Sequence, residues 1–485
     1  MLLFMRFKRA AIFLWVILLL GAGVRAYRVG EEGIWLDEGV SIARAGSPVS
    51  RIVSGRDPDP SPPLYYLLLH FWIKVFGDSE LSIRIPSVIF GVLAVFAIYR
   101  AGGVFFDRRT GLTAALFLAL AAFPVYFSRE ARMYPLLLLL SLVSYYFLGK
   151  MLRGGGPVAA AGYICATAGA LYTHNLGIST VLAQNIFILC VLRKKDIPIR
   201  RWYTLQGLLL ILYLPALATL LRQLTVIGKS FWSPPPSALD PVRTIVSYAG
   251  SLPAAAGLVA LAAFAFFPRQ PIEEGADRGA SARGNVLLVS WLLTPILLPF
   301  LASLISTPIY ISRITIAAAP ALYLLAARGA VRIPGKGRRA VLTGLTGLLL
   351  VLPLREFYRP LRTEPWREVV RMVEAEAKPG DGVLVSPPWY QRFCFEYYRT
   401  RDDITVRGIS DEVFYPGGVP RLIAAAEGYP RTWIVYFQER DLTPLLEENF
   451  SGRFQPEASR VKEYHNFQAG RRMGIRVYLL SGGRD

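Results

Sequence analysis

Charge is scarce in this chain. Only 18% of its 485 residues are Asp, Glu, Lys or Arg, while 53% are hydrophobic. A soluble domain of this length carries more charge than that, so the soluble class is excluded. Cysteine is scarcer still, with three residues: Cys165, Cys190 and Cys394. Two lie in apolar runs and Cys394 stands alone in the polar C-terminal part, which excludes a structural disulfide or zinc cluster there. Histidine also numbers three, with no pair at ligand spacing, so a His-based metal site is excluded. Acidic residues are few beside basic ones, 34 against 54, for a formal net charge of +20. The basic residues sit in short stretches between apolar runs and not along one face, so the excess points to cytoplasmic loops and no nucleic acid partner is expected.

Long apolar runs are what the chain has in plenty. Stretches of about 17 to 21 mostly apolar residues recur through its first three quarters, and each is long enough for a hydrocarbon core of roughly 30 Å. The expected fold class is a polytopic α-helical membrane protein with the lipid bilayer as its surroundings. The N-terminal MLLFMRFKRAAIFLWVILLLGAG is like a signal peptide, but no small-x-small cleavage site precedes WLDE, so a retained first helix is predicted.

Sidedness follows from the basic turns. With Arg6, Lys8 and Arg9 inside, the first span covers residues 10–27 and exits outward. The next apolar stretch, Leu64 to Gly77, is short and contains His70 and Lys74, which suits an interfacial or re-entrant helix. Leaving it uncrossed makes 83–106 the second span and delivers DRRTG to the cytoplasm. The remaining spans are predicted at 112–127, 134–148, 158–173, 176–192, 202–221, 252–267, 286–305, 314–327 and 341–354. The total of about eleven keeps every strongly basic short loop inside, as the positive-inside rule requires. The expected organisation is a membrane domain over 1–354, whose first outer loop spans 28–82 and contains juxtamembrane helices, and a small extracytoplasmic α/β domain over 355–485. In the latter, DGVLVS, TWIVYF and GIRVYLL are strand-like and WREVVRMVEAEA has helical spacing.

The chemistry-bearing residues collect on the outer side. Asp37 and Glu38 form an adjacent carboxylate pair in the frame Ile34, Trp35, Leu36, Val40 and Ile42. Carboxylates favour helix starts, which is the plain structural explanation. The apolar frame also holds the pair near the interface, where a carboxylate within hydrogen-bond reach of a hydroxyl acts as a general base. SREARMY packs Arg129, Glu130 and Arg132 together, against the positive-inside tendency, and Arg313 lies at another outer end. Arginine forks suit phosphate, whereas salt bridging or snorkelling is the structural alternative. Asp57, Asp59, Tyr65, Tyr134, His174 and Asn175 complete the outer set, with Asp59, Tyr65, Tyr134, His174 and Asn175 as candidate pocket residues. Ionisable groups near membrane depth are costly and so mark function. No cofactor is indicated, although a carboxylate-held divalent metal stays open.

WLDEGVSI, PPLYYLLLHFW, YFSREARMYPLLLLLSL, LYTHNLG and YISRITIAAAPALYLLAARG together resemble the membrane glycosyltransferases of the GT-C fold. The nearest branch is that of the protein O-mannosyltransferases and the lipid A aminoarabinose transferase, and the likeness covers roughly residues 10–330. It implies a polyprenyl-phosphate sugar as donor and the first-outer-loop acidic residue, Asp37, as catalytic base with Glu38 beside it. Polyprenyl phosphate leaves readily, so arginines that stabilise its charge and one base on the acceptor make a sufficient minimal set. Inversion is the family expectation; Glu38 or Glu130 would be available as a nucleophile in a two-step route. Sugar and acceptor stay open, the acceptor being a lipid, a glycan or a protein. The rival function is a polyprenyl-linked sugar or lipid transporter or flippase, which would place charges at span centres. Here the span centres are nearly free of charge.

Overall fold

A computed structural model describes every residue except 1, 55–60, 192–198, 228–232, 268–277, 359–362, 416, 439, 456–458, 467–470 and 482–485. The first 357 residues are helical: α1 (Leu2–Ala26), α2 (Leu36–Ala45), α3 (Val49–Ser54), α4 (Leu64–Phe76), α5 (Glu80–Phe105), α6 (Arg108–Leu120), α7 (Ala122–Phe127) and α8 (Tyr134–Leu152). There follow α9 (Pro157–Thr173), α10 (Ile178–Val191), α11 (Ile199–Ile227), α12 (Asp240–Ala249), α13 (Leu252–Ala263), α14 (Arg278–Ile305), α15 (Ala319–Arg332) and α16 (Lys336–Phe357). Chain contacts divide the molecule into two compact units. One comprises residues 1–27, 47–77 and 82–356; the other comprises 28–46, 78–81 and 357–485.

The first unit is a helical bundle. Among the described residues, five helical segments are long and apolar enough to cross a membrane: 80–105, 134–152, 282–305, 312–332 and 336–356. The other predicted spans also fall mostly on helix, although α13 ends at Ala263 within the predicted 252–267 span; α1, α9 and α10 are shorter in their apolar part, and two helical stretches are broken. The predicted 112–127 span splits at Ala121 into α6 and α7. Pro124 has no N–H to continue the ladder, and a helix tolerates it best in a first turn, which is where the break puts it. The carbonyls of Leu118 and Ala119 at that break each accept from the fully buried Arg25 at 3.1 Å. The other break separates α12 from α13, which bend by 94°. Gly250 ends α12 with φ +85°, a left-handed cap that glycine adopts without strain. The 13-residue α4 is too short for a full crossing.

Polar side chains hold the bundle as well as apolar packing. Ser144 and Thr167 pair at 2.7 Å, and Gln184 joins Ser144 at 2.8 Å and the Tyr163 hydroxyl at 3.0 Å. Gln206 donates to Tyr163, Asn185 donates to Gln206, and the Trp202 indole donates to Asn185. This chain links α8, α9, α10 and α11 with uncharged groups, the usual polar glue between membrane helices. Every residue of α15 from Ala319 to Val331 is buried, with α6, α13 and α14 packed around it.

The second unit is an α/β layer structure. Its helices are α17 (Trp366–Glu376), α18 (Pro388–Tyr390), α19 (Glu396–Tyr398), α20 (Val419–Ala426) and α21 (Thr443–Asn449). Its strands are β1 (Gly382–Ser386), β2 (Thr405–Gly408), β3 (Arg431–Tyr436), β4 (Arg460–Asn466) and β5 (Arg471–Ser481), in the order β2-β1-β3-β5-β4. β1 runs parallel to β2 and β3, with Val383 opposite Trp433, while β5 is antiparallel to β3 and β4. One core lies on the α17 side around Trp366, Val385, Tyr390, Cys394 and Trp433. The other holds Leu384, Phe414, Leu422, Ile434 and Tyr436. Buried Asp381 pins the amino ends of β1 and β3 by accepting from Arg431 at 2.8 Å and from the Trp433 indole at 3.1 Å.

Candidate functional site

The candidate residues fall in both units. Asp37 and Glu38 occupy the first turn of α2, after the extended Trp35. Their place at a helix start is the one carboxylates favour. Glu38 is fully buried and Asp37 partly so. Helix α2 belongs to the unit of the C-terminal residues, and its seat there explains the glycine of the WLDEG stretch. A Cβ on Gly39 would lie 2.3 Å from the Phe393 carbonyl oxygen, so only glycine lets the helix approach that backbone. Upstream, the Ile34 N–H donates to the Tyr398 hydroxyl at 2.7 Å, and Thr363 Oγ1 donates to the Gly33 carbonyl at 3.3 Å. Glu80 accepts from Arg367 at 2.6 Å and from Tyr398 at 3.0 Å. The turn that carries Asp37 and Glu38 is thus held from several directions.

Beside it lies Glu364, buried, accepting from the Trp366 indole at 2.8 Å and from the Tyr390 hydroxyl at 3.3 Å. Burial pushes its carboxyl up to about 8, opposed by those hydrogen bonds and by the Leu36 N–H, and reinforced by the nearby charge of Asp37. Cys394 is fully buried in the same region, and burial, with the charges of Glu364, Glu38 and Asp37, pushes its thiol well up. The polar setting of Cys394 in the sequence suggests a thiol open to labelling from outside; the structure corrects this, because the side chain fills the core under α17.

The remaining candidates lie in the bundle. Arg129, Glu130 and Arg132 are all nearly buried. Arg129 Nη1 donates to the Arg25 carbonyl at 3.2 Å and also to the Tyr27 carbonyl, which caps the end of α1. Ser87 Oγ donates to the Arg132 carbonyl at 3.3 Å and lies 3.4 Å from the Tyr65 hydroxyl, while Arg132 Nη1 reaches the Tyr66 hydroxyl at 3.5 Å. Tyr134 opens α8 with its ring 6.0 Å from that of His174. His174 Nδ1 accepts from the Leu176 N–H at 3.0 Å, which starts the 3-10 turn Asn175–Gly177. That turn and α8 both touch the 3-10 segment Ser312–Ala318, which carries half-buried Arg313. Tyr65 with Arg132, and Tyr134 with His174, Asn175 and the Arg313 segment, are therefore brought together. Asp57 and Asp59 lie outside the described residues. Among the described residues, no three His, Cys, Asp or Glu side chains converge on a metal-sized site.

Residues 60–218 match the family described as dolichyl-phosphate-mannose-protein mannosyltransferase. Three solved structures share the fold over nearly the whole chain. ArnT from Cupriavidus metallidurans in the apo state superposes with TM-score 0.60 at 12% identity, covering 98% of both chains. The same protein bound to undecaprenyl phosphate gives 0.58 at 14%, covering 97% of this chain and 98% of that one. The arabinofuranosyltransferase AftD from Mycobacteria gives 0.51 at 15%, with 98% of this chain against 42% of that one. The chain has the GT-C fold. No curated protein matches it by sequence.

The GT-C architecture includes groups that the sequence did not single out. Glu364 is one. TEPW looks like an ordinary helix entry, with an acid near the start of α17, and only the folded chain brings it beside α2. Arg25 is another: a lone arginine at the end of an apolar run reads as a snorkelling residue, yet it is fully buried at the α6–α7 break.

Proposed function

We propose that this chain transfers a sugar from a polyprenyl-phosphate-linked donor to an acceptor hydroxyl or phosphate at the extracytoplasmic membrane face. The fold and the family match over residues 60–218 support that class of activity. The observation that carries the base assignment is the seat of Asp37: a carboxylate in a helix first turn, fixed by Gly39 against Phe393 and backed by buried Glu364. Asp37 takes the proton of an acceptor hydroxyl, and Glu38 and Glu130 are the other carboxylates of the set. A base so placed contributes roughly 10²- to 10⁴-fold in rate. Arg129, Arg132 and Arg313 take the donor phosphate and stabilise the charge that develops on it as the glycosidic bond breaks. Tyr65, Tyr134, His174 and Asn175 line the donor pocket, with Asp59 assigned to the same role. Direct displacement inverts the anomeric centre. The acceptor is a lipid, a glycan or a protein.

The test uses purified protein in nanodiscs with a panel of radiolabelled polyprenyl-phosphate sugars and membrane extract as acceptor source. Release of polyprenyl phosphate from one donor is expected, falling at least a hundredfold in Asp37→Asn with donor binding retained. Wild-type turnover in that variant removes Asp37 from the mechanism. Absence of release with every donor favours movement of the lipid-linked sugar instead.

A further inference from the structure

The parallel part of the sheet has the order β2-β1-β3, so the chain passes from β1 to β2 on one side and then reverses over β1 to reach β3. The two crossovers lie on opposite faces. The β1–β2 connection supplies Tyr390, Cys394 and Phe395 to one core, and the β2–β3 connection supplies Val413, Phe414 and Leu422 to the other. In open parallel sheets such a reversal leaves a crevice outside the carboxyl ends of the strands, and ligands bind there.

That edge carries a converging polar set. Ser386 ends β1 and donates to Asp411 Oδ1, while Gln438, just past β3, donates to Asp411 Oδ2 at 2.6 Å. Each carboxylate oxygen retains acceptor capacity beyond the one bond it receives. Tyr436 ends β3 with its hydroxyl buried and without a hydrogen-bond partner among the described residues. Leaving a buried hydroxyl unpaired is costly, and a ligand hydroxyl would relieve that cost. Burial, with Asp411 and Tyr415 nearby, pushes the Tyr436 phenol up to about 12, so it stays a donor. Arg440 donates to the Phe414 carbonyl at 3.0 Å and lies 5.0 Å over the Tyr415 ring. Two large aromatics are half-exposed on the connections that leave this edge, Trp389 at 49% and Tyr415 at 50%.

The chemistry selects among ligands. The turn after β1 is Ser386-Pro387-Pro388, without the glycine-rich backbone that cradles phosphate, and the Asp411 charge repels an anion. A carboxylate, an amide and a phenol at an edge whose connections carry exposed aromatics suit a neutral molecule rich in hydroxyls with an apolar face. We propose that the carboxyl-end edge of β1 and β3 is a saccharide-binding site, in which Asp411, Gln438 and Tyr436 bond sugar hydroxyls and Trp389 and Tyr415 pack against the sugar. The site stands on Ser386, Trp389, Asp411, Tyr415, Tyr436 and Gln438 alone and does not depend on Asp37 as a base.

The test is saturation-transfer NMR on the full chain in nanodiscs, with the methyl glycosides of mannose, glucose, galactose and arabinose presented one at a time. Transfer to at least one glycoside is expected, unchanged in Asp37→Asn and reduced at least fivefold in both Trp389→Ala and Asp411→Asn. Trp389 is half-exposed, so its variant stays informative even if the Asp411 variant fails to fold. Transfer to none of the glycosides overturns the proposal, as does a signal that survives Trp389→Ala or disappears in Asp37→Asn. Stronger transfer to glucose 6-phosphate than to methyl glucoside overturns the neutral ligand class.

Discussion

Glu364 couples the fold of the C-terminal residues to the turn that carries Asp37, and its proton makes that coupling measurable. Burial first, and the charge of Asp37 after it, raise its carboxyl to about 8, above the ordinary 4.5 that it recovers on unfolding. Between those values the folded chain holds a proton that the unfolded chain has lost, so stability falls as pH rises. Below the lower value both states are protonated, and above the upper one neither is, so the dependence vanishes outside that window. The groups facing it are Asp37, Tyr390 and Cys394, with Glu38 beyond the thiol. The apparent Tm of the C-terminal unit, followed by tryptophan fluorescence, is therefore expected to drop between pH 5 and pH 8 and to level above that. Glu364→Gln keeps the hydrogen-bonding shape without the titration, so its Tm is expected to stay flat across the same range. A wild-type Tm independent of pH would place the proton elsewhere.

Helix α2 shows how far local sequence carries. Asp37 and Glu38 are legible in WLDEG because acids at a helix start and an apolar frame are both local signals. What seats the helix is not local: Phe393 and Tyr398 lie hundreds of residues downstream, and no spacing rule connects them to Gly39. The same division runs through the sheet. The strands at 382–386, 431–436 and 471–481 announce themselves by β-branched and aromatic runs. β2 has four residues, mostly exposed, and β4 is a charged edge strand, RVKEYHN, so neither carries the apolar alternation by which strands are found. In the bundle, long apolar runs predict helix correctly, but the α6–α7 break depends on Arg25 arriving from a different helix. For α2 the close approach yields a direct expectation. Gly39→Ala must push the helix off the Phe393 carbonyl, at a cost of roughly 1–3 kcal/mol for overpacking. Transfer is expected to fall with it while donor binding in the bundle persists. Activity and Tm equal to wild type would mean that α2 is not held at that contact.

For the molecule as a whole, the distribution of charge makes the sharpest demand. Placing every strongly basic short loop in the cytoplasm requires an odd number of crossings between Arg9 and the C-terminal unit, and would put that unit outside. Only five of the described helical segments meet the length and hydropathy required of a span outright, so the parity rests on the shorter and broken helices crossing as well. The native thiols cannot report this: Cys394 is buried in the core, and Cys165 and Cys190 lie within bundle helices. Two exposed positions can. Glu447 lies on the open side of α21 and Arg338 near the start of α16, in the basic turn assigned to the cytoplasm. In a background with all three cysteines replaced by serine, Glu447→Cys is expected to react with a membrane-impermeant maleimide in intact cells. Arg338→Cys is expected to react only after the membrane is opened. The reverse pattern would place Asp37, which belongs to the same compact unit as Glu447, on the cytoplasmic side. An acceptor hydroxyl would then be sought among cytoplasmic lipids and proteins. Labelling of both positions in intact cells would mean that α16, the predicted span between them, does not cross, and that with Arg9 inside the crossings before Arg338 are odd in number instead of the predicted ten.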